Sequence, residues 1–454
     1  MPSVMLVRTE PPPSVAPRHA AAAAARGAAS RAAGSQGPLA RRLGRATLDR
    51  LHAEHGASFH LLDLERLQRN VADLFAALRA EYPRVMLAHS YKTSHAPAVA
   101  RAMADAGALP EVVSATEYAL ALRLGADPAD ILVNGPAKSD AFLEQALLAG
   151  STVNVDSVGE AARVAAIAGR HPARRLNTGL RCHVALPGRP PSRFGLDDAS
   201  GELDHAARLL RQRPNVTIRG LHCHVGGDRS APSYALRTER LIGLADRLFP
   251  TAPPDWIDVG GGLAGRMDET LRRQFASPPP DYADYARAIG GAMRARWGGY
   301  ADAPAVMLEP GMALLADTAE FVTRVEAVKQ IGDRWHATVA GSVYNVKPTL
   351  NAFDLPVAVM PAARAAGEPR RWIVGGSTCM EIDVLHAGLH ADIARGDDLV
   401  FSNVGAYTFV LTPPFINTAP AIVAVGPDLR CWTARRAETL DDQLATWTIG
   451  NPDT

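Results

Sequence analysis

The chain has 454 residues, 47% of them hydrophobic, and a formal net charge of +1 at pH 7. That charge gives no electrostatic ground for binding nucleic acid or an anionic membrane, and no apolar run reaches the length of a membrane span. Cys182, Cys223, Cys379 and Cys431 are far apart and form no CxxC pair, which fits free thiols in a reducing, cytoplasmic setting and excludes a disulfide framework.

Residues 1–45 are rich in Ala, Arg, Pro and Ser and contain a single acid, Glu10, which predicts a disordered extension. An Arg-rich, acid-poor start is also the composition of an organelle transit peptide. From Ser58 onward short apolar runs alternate with Ala/Leu/Arg-rich helical stretches. The runs fall at 85–89, 111–114, 131–134, 152–155, 178–184, 217–225, 256–259 and 305–309. Continuous apolar strands separated by helices imply parallel strands covered on both faces. Eight such units predict an α/β fold with a (β/α)8 TIM-type barrel over 64–315, a doubly wound open sheet being the alternative. Beyond Gly311 the segments 319–328, 335–344, 371–375, 398–404 and 421–432 are β-rich. They predict a C-terminal all-β domain over 316–454, completed by residues 46–63 from before the barrel.

Only four lysines occur among 48 basic residues: Lys92, Lys138, Lys329 and Lys347. Arginine supplies surface charge as well as lysine does, but it cannot lose a proton and attack a carbonyl. Lys92 follows the apolar run Val85-Met86-Leu87-Ala88 and the polar step His89-Ser90-Tyr91, the pattern of a buried strand delivering an amine. A Schiff-base enzyme using pyridoxal phosphate (PLP) is one reading of it, and a solvated surface lysine is the other.

The other proposed strands also end in polar residues. These are Ser114 with Glu117, Asn134-Gly135 with Lys138, Asp156-Ser157, His222-Cys223-His224-Val225-Gly226-Gly227, Asp258-Val259-Gly260-Gly261-Gly262 and Glu309-Pro310-Gly311. Active sites of such barrels lie at the C-terminal strand ends. The triple glycine lets backbone N–H groups approach an anion such as phosphate, though a tight βα turn needs glycine too. His222 and His224 share a strand face, but no third ligand stands at a suitable spacing, so no metal is expected. An imidazole stacked on an aromatic cofactor is the better use of His224, and a core histidine the simpler reading of His222. With PLP bound, a carboxylate such as Glu309 at the pyridine nitrogen keeps that nitrogen protonated, so the ring can draw electrons from a carbanion at Cα. Cys379, in the Gly-rich stretch Gly375–Asp383, can return a proton to Cα or be a plain buried thiol. Tyr407 can hydrogen-bond a phosphate or a substrate, or serve as a core or interface tyrosine.

Taken in order, these pieces resemble the PLP-dependent decarboxylases built on the alanine-racemase barrel, among them diaminopimelate and ornithine decarboxylases. The resemblance spans roughly residues 46–430 and rests on Tyr91-Lys92, Val113-Ser114 with Glu117, Asn154-Val155-Asp156-Ser157, Ser192-Arg193-Phe194-Gly195, the His222–Gly226 and Asp258–Gly262 motifs, Glu309-Pro310-Gly311, Cys379–Asp383 and Gly405-Ala406-Tyr407. It implies that Lys92 holds PLP as a Schiff base, that His224 stacks on the ring and that Glu309 meets the pyridine nitrogen. It further implies that the Gly260–Gly262 loop (Gly261 and Gly262 above all), Gly311 and Tyr407 hold the phosphate, and that Gly227 also binds the cofactor. Cys379 would be the proton donor, supplied by the partner subunit of a homodimer with shared sites.

Three positions depart from the family pattern. Met312 follows Glu-Pro-Gly where Arg is usual, Lys347-Pro348 leads to Asn351 where Arg-Pro leads to Tyr, and Met380 follows Cys379 where Glu is usual. Those positions grip the distal groups of diaminopimelate, so the expectation is a specialised amino acid other than meso-diaminopimelate. Glu381 and Asp383 would then meet a distal cation, and Lys347 a carboxylate, with Tyr407 also at the substrate. A PLP-dependent racemase and a non-catalytic PLP-binding regulator are the alternatives, and Glu309 argues against a racemase of the alanine type.

Overall fold

The computed structural model describes residues 37–448 and 450. Strand β1 (Ser58–Asp63) comes first. Then follow β2 (Val85–Ser90), β3 (Leu109–Val112), β4 (Leu132–Val133), β5 (Thr152–Val155), β6 (Leu176–Arg181), β7 (Val216–His222), β8 (Trp256–Asp258) and β9 (Ala305–Leu308). Strands β2 to β9 close into a parallel barrel, with Leu308 of β9 beside Leu87 of β2. Every apolar run read from the sequence overlaps one of these strands, and closure excludes the open-sheet alternative.

The barrel floor is filled by Ala88, Leu132, Trp256, Ala305 and Met307. Trp256 fits because β6 and β7 carry glycine beside it: a Cβ on Gly179 or Gly220 would lie 2.6 or 2.3 Å from its ring. Helices cover the outside, and several begin immediately after a strand end. Ser114 Oγ accepts the Glu117 N–H while the Glu117 carboxylate accepts the Val113 N–H at 2.7 Å. Ser157 and Glu160 repeat the device, with Asp156 N–H on Glu160 at 2.8 Å. These two motifs therefore start helices and set the height of the barrel rim.

Strands β10 (Ala319–Ile331), β11 (Arg334–Val339), β12 (Val357–Met360), β13 (Arg370–Gly375), β14 (Val384–Ala391), β15 (Asp398–Ser402), β16 (Ala421–Val425) and β17 (Cys431–Arg435) build the second domain. Their sheet runs β14-β13-β11-β10-β1-β16-β17, and β15 joins β10 to β12. Strand β1 lies antiparallel to β10 and parallel to β16, so a segment from before the barrel completes the C-terminal domain. The sequence pattern missed β12 and β14. Both are edge strands: β12 is only four residues, Val-Ala-Val-Met, set between Pro356 and Pro361, and β14 is mostly half-buried and shows no continuous apolar run. The expected run 421–432 is two strands turned back at Gly426.

The N-terminal boundary needs correction. Residues Leu39–Leu43 and Arg45–His55 are helices, where the sequence suggested an extension as far as 45 and β structure from 46. Leu39 and Ala40 are buried, and the Glu320 carboxylate accepts their N–H groups at 2.6 and 2.9 Å. Composition concealed this because the helix is too short to show periodicity and is anchored by an acid 280 residues away. The readings for residues 1–36 lie outside the described residues. Among the described residues no helix is long and apolar enough to cross a membrane.

Candidate active site

Lys92 stands in the turn after β2, and its Nζ lies 3.7 Å from Glu111 Oε2. Burial presses the Lys92 pKa down, but Glu111, Glu309 and Tyr407 outweigh it and hold the amine above its usual range. Glu111 is fully buried on β3, and its Oε2 has no hydrogen-bond partner. Burial raises its own pKa, the Lys92 charge opposes that rise, and Glu309 adds to it. The sequence reading passed over Glu111. The available signal was an acid beside Val112 and Val113 at the head of an apolar run.

Glu309 closes β9 and is buried. Its Oε1 accepts from Asn134 Nδ2 and lies 3.4 Å from His222 Nε2, while Oε2 has no hydrogen-bond partner. Burial alone would raise its pKa, yet His222, Lys92 and His224 outweigh burial and hold the carboxyl well below the usual range. Asn134 also donates to Glu111 at 3.0 Å and accepts from Asn154 at 2.8 Å, tying β3, β4, β5 and β9 into one polar layer.

The fold also groups His222, Asp258 and Glu309, with ligand atoms within 4.8 Å of one another. Spacing in the sequence gave no sign of this set. Burial and the Glu309 charge push the Asp258 pKa well above its usual value, which disfavours the ionised form that a metal ligand needs. Its Oδ1 accepts the Gly260 N–H at 2.8 Å and shapes the glycine loop.

His224 is partly exposed, and burial together with the Lys92 charge lowers its pKa to about 3. The ring is therefore neutral. Its Nδ1 accepts the Gly261 N–H at 3.2 Å, which leaves the proton on Nε2. The glycine loop allows no side chain: a Cβ on Gly260 would lie 2.3 Å from Cys223 O, and one on Gly261 2.3 Å from Glu309 O. Gly311 packs equally tightly, 2.2 Å from its hypothetical Cβ to Thr93 Oγ1. Tyr407 takes φ +67°, unusual for a bulky residue, and its N–H bonds Thr93 O at 2.9 Å beside Lys92. Gly227 is exposed near Arg189, whose Nη2 donates to its carbonyl at 3.0 Å.

This donor set fits PLP. An amine, a neutral imidazole, an ionised carboxylate with one unpaired oxygen and side-chain-free backbone N–H groups lie at adjoining strand ends, as the aldehyde, ring, pyridine nitrogen and phosphate require.

Other expected site residues lie elsewhere or do other work. Cys379 is exposed on the loop between β13 and β14, and no hydrogen bond or ion pair joins it to the Lys92 cluster within the chain. Asp383 is buried with both oxygens engaged: Oδ1 accepts Val343 N–H at 2.6 Å, and Oδ2 accepts Thr378 N–H and Oγ1 at 2.9 and 2.6 Å. It therefore shapes the Cys379 loop, which corrects its reading as a substrate contact. Lys347 is buried and donates to Phe353 O at 3.0 Å, so its ammonium is already engaged. Glu381 is exposed beside Cys379. Lys138 is buried against Glu160 at 2.9 Å, a structural ion pair. Met312 receives the Arg229 guanidinium, with Nη1 2.8 Å from its Sδ.

The pyridoxal binding domain of the pyridoxal-dependent decarboxylases matches residues 68–316, and the C-terminal sheet domain of the same family matches 317–405. Diaminopimelate decarboxylase of Methanothermobacter thermautotrophicus is 27% identical over 414 residues, covering 88% of this chain and 94% of that protein. The structure of diaminopimelate decarboxylase from M. jannaschii in complex with L-lysine is similar with a TM-score of 0.79 at 21% identity, covering 88% and 94% of the two chains. Arginine decarboxylase of Paramecium bursaria Chlorella virus is similar with a TM-score of 0.66 at 20% identity, covering 82% and 97%. One fold thus carries decarboxylases named for different amino acids.

Proposed function

The chain belongs to the pyridoxal-dependent decarboxylases, with PLP as cofactor, and on that premise we propose that it decarboxylates a specialised amino acid other than meso-diaminopimelate, using Lys92 and Cys379. The observation that carries the catalytic part is Glu309, ionised in the barrel interior with Oε2 unpaired and its charge acting on Lys92. PLP, when bound, supplies an aldehyde that takes up amines and a ring that draws electrons from the substrate α-carbon.

Lys92 supplies the amine that anchors the cofactor, and Glu111 beside it controls when that amine is neutral. Glu309 holds a proton on the ring nitrogen, which a neutral side chain there would not do. His224, uncharged and fixed by Gly261 N–H, covers one ring face and blocks water from that side. Gly262 and Gly311, with Tyr407, offer the anion-binding surface, where Gly261 gives close backbone approach while its N–H holds His224; Gly227 is exposed. Cys379 returns a proton to the α-carbon after carbon dioxide leaves. It is exposed on its own subunit, which supports its service to the site of a second copy in a homodimer. Equal mixing of Lys92→Ala and Cys379→Ala subunits should then restore about a quarter of wild-type activity, from the one intact site in each mixed dimer. Mixtures that remain inactive after subunit exchange would count against sharing.

The substrate reading rests on Met312, Asn351 and Met380, apolar or neutral where the family carries groups for diaminopimelate. Purified holoenzyme screened against amino acids by carbon dioxide release should prefer one other than meso-diaminopimelate. Preference for meso-diaminopimelate at ordinary rates would overturn it. Chiral analysis of the product separates decarboxylation from racemisation in the same screen.

A further inference from the structure

Arg229 lies half-buried in the loop between β7 and the helix Ala231–Leu248. Its base is rigid. The Arg229 carbonyl accepts the Tyr285 hydroxyl at 2.6 Å, and the neighbouring Asp228 carbonyl accepts buried Arg237 at 3.0 Å. The adjacent acid is occupied too, since Asp228 Oδ1 accepts the Ser230 N–H at 2.9 Å.

The guanidinium itself has only a weak partner. Its Nη1 sits on the Met312 thioether at 2.8 Å, and among the described residues no carboxylate pairs with it. Two other arginines near the barrel mouth are paired with acids, Arg181 with Asp156 at 2.9 Å and Arg266 with Asp73 at 2.6 Å, and Arg189 donates to the Gly227 carbonyl. Met312 directly follows Gly311, so the free charge stands at the lip of the glycine-lined surface. Tyr234, on whose hydroxyl the Arg229 charge acts, donates to Gly261 O at 2.8 Å, which places that charge near the glycine loop.

We propose that Arg229 is the cation that holds the phosphate of PLP, closing the cradle made by Gly260–Gly262 and Gly311. The proposal rests on the reading of Lys92 as the cofactor lysine. An arriving phosphate exchanges a thioether contact for charge-assisted, two-pronged hydrogen bonds. Methionine yields at little cost because its side chain is unbranched and adaptable. The Gly260 and Gly261 N–H groups are held by Asp258 and His224, so the Gly262 and Gly311 N–H groups and the guanidinium divide the phosphate oxygens, and no lysine is needed there.

The test is a titration of full-length apoprotein with PLP and, separately, with pyridoxal, which lacks the phosphate. Binding is followed by the absorbance band that Lys92→Ala abolishes and by quenching of intrinsic fluorescence. Arg229→Ala should weaken PLP about 10- to 100-fold, the loss expected for hydrogen bonds to a charged group, and leave pyridoxal affinity nearly unchanged. Arg229→Lys should fall between, and adding Met312→Arg to Arg229→Ala should recover part of the loss. Unchanged PLP affinity in Arg229→Ala overturns the proposal, and so does an equal loss for PLP and pyridoxal, which marks a structural role. A wild type without the Lys92-dependent band overturns the cofactor-lysine reading and this proposal with it. A normal wild-type band with an indifferent Arg229→Ala overturns this proposal alone.

Discussion

Replacing Gly311 by Ala should disturb the turn that carries Lys92. Gly311 φ is −90°, outside the left-handed region that favours glycine, with ψ −84°. The added Cβ would lie 2.2 Å from Thr93 Oγ1, 3.0 Å from Thr93 Cβ and 3.2 Å from Thr93 Cγ2, where ordinary contact begins near 3.4 Å. One side of this contact must therefore move by about 1 Å, the order of shift that overpacking forces on a core. Thr93 is one peptide from Lys92, and its carbonyl holds the Tyr407 N–H, so the shift reaches both. The stability cost should be about 1–3 kcal/mol, read from the urea midpoint of the full chain. Displacing a reacting group by about 1 Å costs up to about 100-fold in rate, read as carbon dioxide release. Thr93→Ala supplies the control. Thr93 Oγ1 is buried with no hydrogen-bond partner, so its loss sacrifices no protein hydrogen bond. The double variant should regain most of the stability, because only the 3.0 Å contact with Cβ remains. A Gly311→Ala protein as stable and active as wild type, or a double variant that recovers nothing, would refute the steric argument.

Three further outcomes are expected. Glu309→Gln should retain the cofactor absorbance but slow carbon dioxide release by about 100- to 1000-fold, the scale of losing one charge-stabilising group; an unchanged rate contradicts the role given to Glu309. In Glu111→Gln the Lys92 amine loses a carboxylate at 3.7 Å, a contact of about 1 kcal/mol in water and about 4 kcal/mol at a protein surface. Because a third of the Lys92 side chain is exposed, the lower figure governs, and the amine pKa should fall. A lower pKa means more neutral amine at a given pH, so formation of the lysine-bound cofactor band should shift to lower pH; a stationary profile is the contrary result. Lys138→Met leaves buried Glu160 only the Asp156 N–H and Arg163 at 3.8 Å and should cost about 3–5 kcal/mol by denaturant titration, while adding Glu160→Met should return only part of it, because the Asp156 N–H then loses its acceptor.

The relation between Lys138 and Lys92 shows how far composition reaches. Both are scarce lysines near strand ends, yet one is sealed against Glu160 and the other remains partly open with its pKa raised. Rarity singled out both, and only the surrounding carboxylates separated them. Asp383 carries the same lesson in reverse. Its position near Cys379 suggested a substrate contact, but the turn between β13 and β14 folds its carboxylate back onto Thr378 and Val343.

From the sequence alone followed the barrel, its eight strands, the strand ends at which polar residues gather, and Lys92, His224, the glycine loop and Glu309 as the candidates there. These are local properties: an apolar run sets a buried parallel strand, and the polar residue after it emerges at the C-terminal end. Tertiary structure alone decided which of those residues meet. Lys92 faces Glu111, Asn134 bridges Glu111 to Glu309, and Arg229 reaches Met312. Barrel closure and strand stagger fix these pairings, and both are set by how all eight strands pack together. The same holds for Glu320 and the helix at Leu39, joined only because β1 inserts beside β10 after the chain has passed through the whole barrel.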